Sequence, residues 1–210
     1  MLGHGPLAFQ TCPPVWGAAA RAPSGGNLQP WKVHVLLGAA KDELVRRTKA
    51  RMLENPRGGT PEYHIYPPEL TEPYKTRRFQ VGEAMYATMG IPREDRARRL
   101  QQFVRNWEFF GAPVGLIFSM DRQMEEGQWS DLGGFLQSIM LLAREYGLHT
   151  CAQEAWAPFH ETVRDYLKVP PQEIIFCGMA IGYADETAPV NTLYSDRAPL
   201  AEWAVIREEA

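Results

Sequence analysis

The ten residues from 22 to 31, Ala-Pro-Ser-Gly-Gly-Asn-Leu-Gln-Pro-Trp, are the most unusual chemical grouping in the sequence. Ser24 can turn or cap the backbone, and the two glycines after it allow the main chain to pass close to a flat molecule. Asn27 and Gln29 place amide donors and acceptors side by side. This composition suits a loop that lies against a planar ligand. It suits equally a well-made loop that leads into a strand.

Motifs for other catalytic chemistries are absent from the sequence. It contains no Gly-x-x-x-x-Gly-Lys-Ser/Thr phosphate loop, no Gly-x-Gly-x-x-Gly dinucleotide fingerprint and no Gly-x-Ser-x-Gly nucleophile turn. His160 and Glu161 begin like a zinc-protease helix, but Arg164 occupies the position of the second metal-binding His. Cys151 lies near His149 without a recognised nucleophile pattern. Metal-dependent hydrolysis, phosphoryl transfer and catalysis by a serine nucleophile are therefore disfavoured, and we expect no metal site.

Alternating strands and helices are predicted to position these residues. Short runs rich in β-branched and aromatic residues predict buried strands over residues 32–37, 114–120 and 173–183. Apolar residues at helical spacing predict helices over residues 41–54, 93–110, 129–146 and 161–168. Within the third helix, Gly133 and Gly134 each cost about 1 kcal/mol relative to Ala. That pair indicates close approach by a ligand or by another backbone.

Residues 55–91 differ from the rest of the chain because they contain five prolines and no clear periodic pattern. A mostly irregular excursion of this length is usually functional or mobile, so we interpret it as a lid or arm over a site. Basic residues are frequent between positions 75 and 105. They are typical of a solvated helix face, and attraction for an anionic ligand is the alternative.

The composition of the 210 residues is that of one globular domain, with 45% hydrophobic and 22% charged residues. The formal net charge of −3 gives no electrostatic case for binding to nucleic acid or to a membrane surface. Three cysteines are too few for a disulfide scaffold and favour a reducing compartment. No apolar stretch approaches the roughly 20 residues that span a bilayer. We therefore expect a cytoplasmic protein without nucleic-acid or membrane partners.

Residues 22–31 resemble the Pro-Ser-x-x-Asn-x-Gln-Pro-Trp signature of the FMN-dependent nitroreductase family. Further blocks are similar to successive segments of that family, in order, at residues 109–115, 131–140, 147–156, 177–184 and 197–200. The resemblance extends from about Arg21 to about Trp203 and is greatest to the subgroup that reduces nitroaromatics such as nitrobenzoate. It implies an α+β fold with a mixed β-sheet flanked by helices, in an intertwined homodimer. Residues 1–210 would form a single domain of this kind.

The resemblance also implies which residues contact FMN. The loop that would come from the partner chain and lie near the isoalloxazine ring contains Pro23, Ser24, Gly25 and Asn27. The segment behind the flavin contains Ala152, Gln153, Glu154 and Ala155. The backbone N–H of Ala155 matches the donor to flavin N5, the atom that accepts and delivers hydride.

Three further positions correspond to polar contacts of the family. Arg197 matches the C-terminal arginine that pairs with the FMN phosphate, a role that suits a bidentate guanidinium. Ser195 stands two residues earlier, where related enzymes often carry Lys. Arg105 falls near the position whose side chain faces the pyrimidine edge, where a cation would stabilise the anionic reduced flavin.

The N-terminus departs from the family pattern. Members normally carry an Arg-Arg-Ser-x-Arg block upstream of the position of Asn27, and this block supplies much of the phosphate contact. Residues 1–15 resemble no part of it, so we expect residues 1–20 to be atypical. Either the start is misassigned or FMN is held by fewer contacts. The loss of two charge-assisted hydrogen bonds, at roughly 1.5–3 kcal/mol each, would weaken binding by two or more orders of magnitude.

The activity implied by the resemblance is reduction of a small aromatic acceptor, nitroaromatic or quinone-like, with NADPH or NADH as electron donor. Because no dinucleotide fingerprint is present, donor and acceptor are expected to use one pocket in turn, with ping-pong kinetics. The flavin carries the chemistry, so no side chain is required as an obligatory catalytic group. Two alternatives stay open: other flavin chemistry on the same fold, such as dehalogenation or flavin fragmentation, and an FMN-free dimeric binding protein.

Overall fold

An antiparallel sheet forms the centre of the fold. The computed structural model describes residues 2–3 and 13–208. The strands are β1 (Leu2–Gly3), β2 (Lys32–Leu37), β3 (Val114–Asp121), β4 (His149–Gln153) and β5 (Glu173–Ala184). Their order is β1-β5-β3-β2, and β4 also pairs with β5. The α+β class is confirmed. The sheet was expected to be mixed, but the strand pairings within the described part of one chain are all antiparallel.

Helices cover both faces of this sheet. They are α1 (Pro13–Ala19), α2 (Gly38–Glu54), α3 (Tyr74–Thr88), α4 (Arg96–Val104), α5 (Glu126–Glu145) and α6 (His160–Leu167). Short 3-10 helices occupy Gly25–Asn27, Arg105–Gly111 and Glu154–Phe159, among others. The predicted strands and the helices now numbered α2, α5 and α6 are confirmed to within a few residues. Strand β4 was not predicted.

The predicted helix over residues 93–110 is wrong in its last third, residues 105–110. Helix α4 ends at Val104, and a 3-10 helix follows in which Phe109 and Phe110 have φ angles of +49° and +52°. This left-handed backbone is unusual for aromatic residues and is stabilised here by packing. Phe109 is fully buried and stacks on Trp156 at 4.7 Å between ring centroids. The chain therefore bends to bury an aromatic pair rather than continue the helix.

Two apolar clusters lie on opposite faces of the sheet. On β3 the neighbouring residues Leu116 and Ile117 belong to different clusters, as expected for side chains that alternate across a strand. The first cluster packs α1 and α5 on the sheet, and the second packs α2, α6 and the aromatic 3-10 helices. Because both faces are covered, β3 is buried along almost its whole length.

Residues 55–91 have two parts. Residues 55–63 are fixed to the body of the protein: Glu62 forms ion pairs with Arg122 and with Arg164, the latter at 3.1 Å, and Tyr63 Oη donates to the Phe176 carbonyl at 2.5 Å. The second part contains α3, so the expectation of a mostly irregular segment is wrong there. The prolines end at position 73 and resume at position 92, which leaves α3 free of them. None of the helices in the described part of the chain is long and apolar enough to cross a membrane.

Candidate functional site

The end of strand β4 opens into a cavity of about 650 Å³. The strand pairs with β5, with Gln153 opposite Gly178, and then enters the 3-10 helix Glu154–Phe159. The residues predicted to lie behind the flavin all line this cavity: Ala152, Gln153, Glu154 and Ala155. The remaining walls come from α5, from β5 and from residues 65–106. The structure thus brings one complete predicted segment to one cavity.

Gln153 is the most constrained polar side chain of the cavity. It is 2% exposed, and its Nε2 donates to the Asn106 carbonyl at 2.6 Å. Its Oε1 is buried without a hydrogen-bond partner in the described part of the chain. A buried unpaired acceptor is costly, so this atom suits a ligand that carries an N–H. Asn106 was not predicted as a site residue, and only its position next to Arg105 pointed to it.

The Glu154 carboxyl is half-buried in the cavity wall. Within the described residues it has no hydrogen bond or ion pair, and burial raises its pKa. Burial also raises the pKa of the Tyr63 hydroxyl and of the Cys177 thiol, and the nearby Glu154 charge adds to both shifts. This side of the cavity therefore favours neutral groups and disfavours additional negative charge.

The loop predicted to contact the isoalloxazine ring has a strained conformation and lies against α5. Gly26, Asn27 and Gln29 have φ angles of +57°, +58° and +50°. Gly25 N–H donates to the Asp131 carboxylate at 3.1 Å, and the Gln29 N–H donates to Ser24 Oγ at 3.0 Å. Left-handed non-glycine residues are sparsely populated and cluster at functional sites.

This loop does not line the cavity within one chain. Pro23, Gly25 and Asn27 are exposed, and Ser24 is half-buried. The following Trp31 stacks on Phe135 of α5 at 4.6 Å, which fixes the loop at that helix.

The three remaining predicted residues also lie outside this cavity. Arg105 lines a second cavity of about 500 Å³, and its guanidinium donates to the Phe110 carbonyl at 3.3 Å. Arg197 is exposed and donates to Ser195 Oγ at 2.8 Å. His160, singled out by the incomplete zinc motif, places Nε2 3.1 Å from the Thr60 carbonyl oxygen and so takes part in fixing residues 55–63.

The residues at the end of β4 fit a flavin. The unpaired Gln153 Oε1 suits the N–H of a pyrimidine ring, and the first N–H groups of the 3-10 helix, including that of Ala155, have no partner within the helix. Aromatic and aliphatic side chains from the other walls provide a surface for a planar ring, and they are Ile65, Tyr66, Phe103, Leu136, Met140 and Phe176. FMN would be held here by backbone and amide groups, with hydride chemistry supplied by its own ring.

Comparisons with known proteins identify the family of this chain. A model described as the nitroreductase family matches residues 15–183. The chain is 37% identical to nitrobenzene nitroreductase from Ectopseudomonas oleovorans, over 97% of this chain and 90% of that protein. It is 38% identical to 4-nitrobenzoate reductase from Pseudomonas putida, over 91% and 83%. The solved structure of the FMN and NADPH-dependent nitroreductase NfnB from Sphigopyxis sp. strain HMH has a TM-score of 0.96 at 44% identity, covering 99% of this chain and 93% of that one. The chain therefore belongs to the nitroreductase family.

Proposed function

We propose that this protein is an FMN-dependent oxidoreductase that uses NAD(P)H to reduce nitroaromatic or quinone-like acceptors. The observation that carries the proposal is the cavity at the end of β4, where an unpaired buried amide oxygen, free helix N–H groups and an apolar lining meet. Relatives named for reduction of nitrobenzene and of 4-nitrobenzoate favour the same activity. A structural neighbour described as FMN and NADPH-dependent favours the same cofactors.

The residues of this chain bind and orient the reactants. When bound, FMN supplies a ring that accepts hydride from the nicotinamide and delivers it to the acceptor. The Ala155 N–H is assigned to flavin N5, and the Gln153 amide to the pyrimidine edge. Trp156 and Phe109, both fully buried, support the 3-10 helix from behind and keep these groups in place. The apolar parts of the walls would limit access of water to the reacting atoms.

A second copy of the chain is proposed to complete the site. The loop 22–31 and Arg197 lie outside the cavity of their own chain, as a site shared between two chains requires. A Cβ added at Gly133 or Gly134 would meet no atom within 4 Å, so this part of α5 is open in one chain. Leu141 on α5 is 63% exposed, and Tyr194 and Trp203 in the C-terminal segment are 94% and 70% exposed. Exposed apolar side chains of this kind are typical of an interface.

The lid prediction is retained in a narrower form. Residues 55–63 are anchored by Glu62 and Tyr63, whereas Ile65, Tyr66 and Arg78 line the cavity. We assign the role of arm over the site to residues 64–91, within a single domain. The expected departure from the family's phosphate-binding block concerns residues 1–20, of which 1 and 4–12 lie outside the described part of the chain, so weak FMN binding stays a prediction. The cytoplasmic location also stays a prediction.

The first test is an absorption spectrum of the purified protein from 300 to 550 nm, before and after addition of FMN and gel filtration. Flavin bands that persist, followed by NAD(P)H-dependent loss of a nitroaromatic with parallel initial-rate lines, are the expected results. A protein that does not retain FMN, even at micromolar concentrations of both, refutes the proposal. Intersecting lines refute the shared pocket, and sedimentation as a monomer refutes the two-chain site.

A further inference from the structure

Arg78 is the one cationic side chain among the described residues that line the cavity at the end of β4. It lies on α3 and is exposed, whereas the acidic residue of the cavity, Glu154, is half-buried at another wall. A molecule in this cavity therefore meets a positive charge on the side of the arm and a carboxyl group at the end of β4.

The guanidinium of Arg78 is held without an acidic partner. Its central carbon lies 3.8 Å from the centroid of the Tyr66 ring, and no hydrogen bond or ion pair joins it to another side chain in the described part of the chain. Other arginines of this region are paired: Arg77 contacts Glu202 at 2.6 Å, and Arg99 contacts Glu83 at 2.6 Å. Stacking on an aromatic ring occupies the face of a guanidinium and leaves its in-plane N–H groups available for an anion.

The surroundings of Arg78 are aromatic and aliphatic. Tyr66, Ile65, Phe103 and Phe176 line the same cavity. This combination suits a ligand with a flat apolar body and one negatively charged substituent. A neutral aromatic molecule would use the apolar walls but would leave the guanidinium to water.

We propose that Arg78 binds the anionic substituent of the molecule that enters this cavity, so that the enzyme favours aromatic ligands that carry such a group. The inference rests on the proposed function, which brings two kinds of molecule to one pocket in turn. With the FMN phosphate assigned to Arg197, the anion has two sources with the same chemistry toward a guanidinium: the carboxylate of a nitroaromatic acceptor, or a phosphate of the nicotinamide dinucleotide. Kinetic measurements with different acceptors and donors distinguish these two sources.

The test compares the FMN-loaded wild type with Arg78→Gln and Arg78→Lys, and with Arg96→Gln as a control for loss of an exposed arginine outside the cavity. The acceptors are 4-nitrobenzoate and nitrobenzene, and the donors are NADPH and NADH. If the carboxylate is the source, Arg78→Gln lowers kcat/KM about tenfold for 4-nitrobenzoate and leaves nitrobenzene unchanged. If the phosphate is the source, kcat/KM for NADPH falls about tenfold, whereas kcat/KM for each acceptor, which in a ping-pong scheme depends only on the oxidative half-reaction, stays unchanged. The Lys variant, which keeps the charge, falls between wild type and Gln.

A binding measurement separates this inference from the proposed function. Benzoate, which cannot be reduced, is titrated calorimetrically into each variant, and about tenfold weaker binding to Arg78→Gln than to wild type or Arg96→Gln is expected for the carboxylate source. A wild type that reduces neither acceptor but binds benzoate through Arg78 would contradict the proposed activity and support anion binding. Equal kinetics with both acceptors and both donors in all variants, with equal affinity for benzoate, would overturn the inference.

Discussion

Replacement of Gly178 by Ala is predicted to destabilise the protein because the Trp156 ring lies over this glycine. The residue sits in β5 opposite Gln153, and a Cβ added there would overlap Trp156 Cδ1 and lie 2.6 Å from its Nε1. Trp156 is fully buried and stacks on Phe109, so its ring has no free space to move into. It also belongs to the 3-10 helix that begins with Glu154. The substitution Gly178→Ala therefore acts on the core and on the cavity together.

The expected loss of stability in Gly178→Ala follows from the overlap between the added Cβ and Trp156. Forcing an extra methyl group into a filled core costs typically about 1–3 kcal/mol. Replacing a strand glycine by Ala also stabilises the fold by up to about 1 kcal/mol, because it reduces the backbone entropy of the unfolded chain. The net decrease in the free energy of unfolding is therefore in the lower or middle part of that range. For a chain of this size, 1 kcal/mol shifts Tm by about 2–4 °C. Differential scanning calorimetry is expected to show a Tm about 2–8 °C below wild type, together with weaker retention of FMN.

Two comparisons test whether the overlap with Trp156 causes the loss of stability. Gly82→Ala on α3 is the matched control: no atom lies within 4 Å of the added Cβ, and the change should stabilise the helix by about 1 kcal/mol. In a double-mutant cycle, Gly178→Ala should cost much less in a Trp156→Leu background, where the ring is gone. Equal costs of Gly178→Ala in the two backgrounds would show that the overlap with Trp156 is not the cause.

Three further predictions concern charged groups. Arg197→Ala should weaken FMN binding about ten- to hundredfold in a flavin fluorescence titration, because a charge-assisted contact to phosphate contributes roughly 1.5–3 kcal/mol, whereas Arg96→Ala should have no effect. Burial disfavours ionisation of Glu62, but hydrogen bonds from Arg122 and from the Ile175 N–H, together with the nearby charges of His160 and Arg122, outweigh burial and lower the pKa of this carboxyl. Glu62→Gln should therefore reduce the free energy of unfolding by about 1–3 kcal/mol at pH 7, and urea unfolding should show this difference shrinking as pH falls below about 4.5. Burial raises the pKa of Glu154, so Glu154→Gln should be at least as stable as wild type at pH 8 and lose that advantage near pH 4; a variant less stable at pH 8 would contradict the sign.

The elements that sequence reasoning identified are those with a strong local signal. Strand β2 was predicted with its observed bounds because its short apolar run contains β-branched residues and lies between Pro30 and Gly38. Strand β4 was missed because His-Thr-Cys-Ala-Gln has no alternating apolar pattern, and its conformation is set by pairing with β5. Helix α3 was missed because it buries none of its residues and so has no apolar face for a periodicity to reveal. Tertiary contacts, rather than local propensity, decide these segments.

The site residues likewise differ in whether sequence reasoning could identify them. The segment from Ala152 to Ala155 was assigned as one block, and it does lie at one cavity because the end of a strand carries consecutive residues into the following turn. The assignment of Arg105 crossed a poorly matched region, and its side chain lines a different cavity. Asn106 was not predicted, and Arg78 was noted only among the basic residues between positions 75 and 105, because their roles depend on Gln153 and Tyr66, which lie 47 and 12 positions away. A sequence motif records neighbours along the chain and carries no information on such pairs.

Three features of the single chain would each be completed by the proposed second copy of the chain. The strained loop at Asn27 does not line the cavity at the end of β4 of its own chain, an added Cβ at Gly133 on α5 would meet no atom within 4 Å among the described residues, and the C-terminal segment around Trp203 exposes apolar side chains. Each costs free energy unless a partner surface compensates for it. In the proposed homodimer, a two-fold axis would place such features of one chain against the other chain, twice. A site built this way would couple cofactor binding to assembly, because the loop 22–31 and Arg197 would reach the cavity at the end of β4 only from the partner chain.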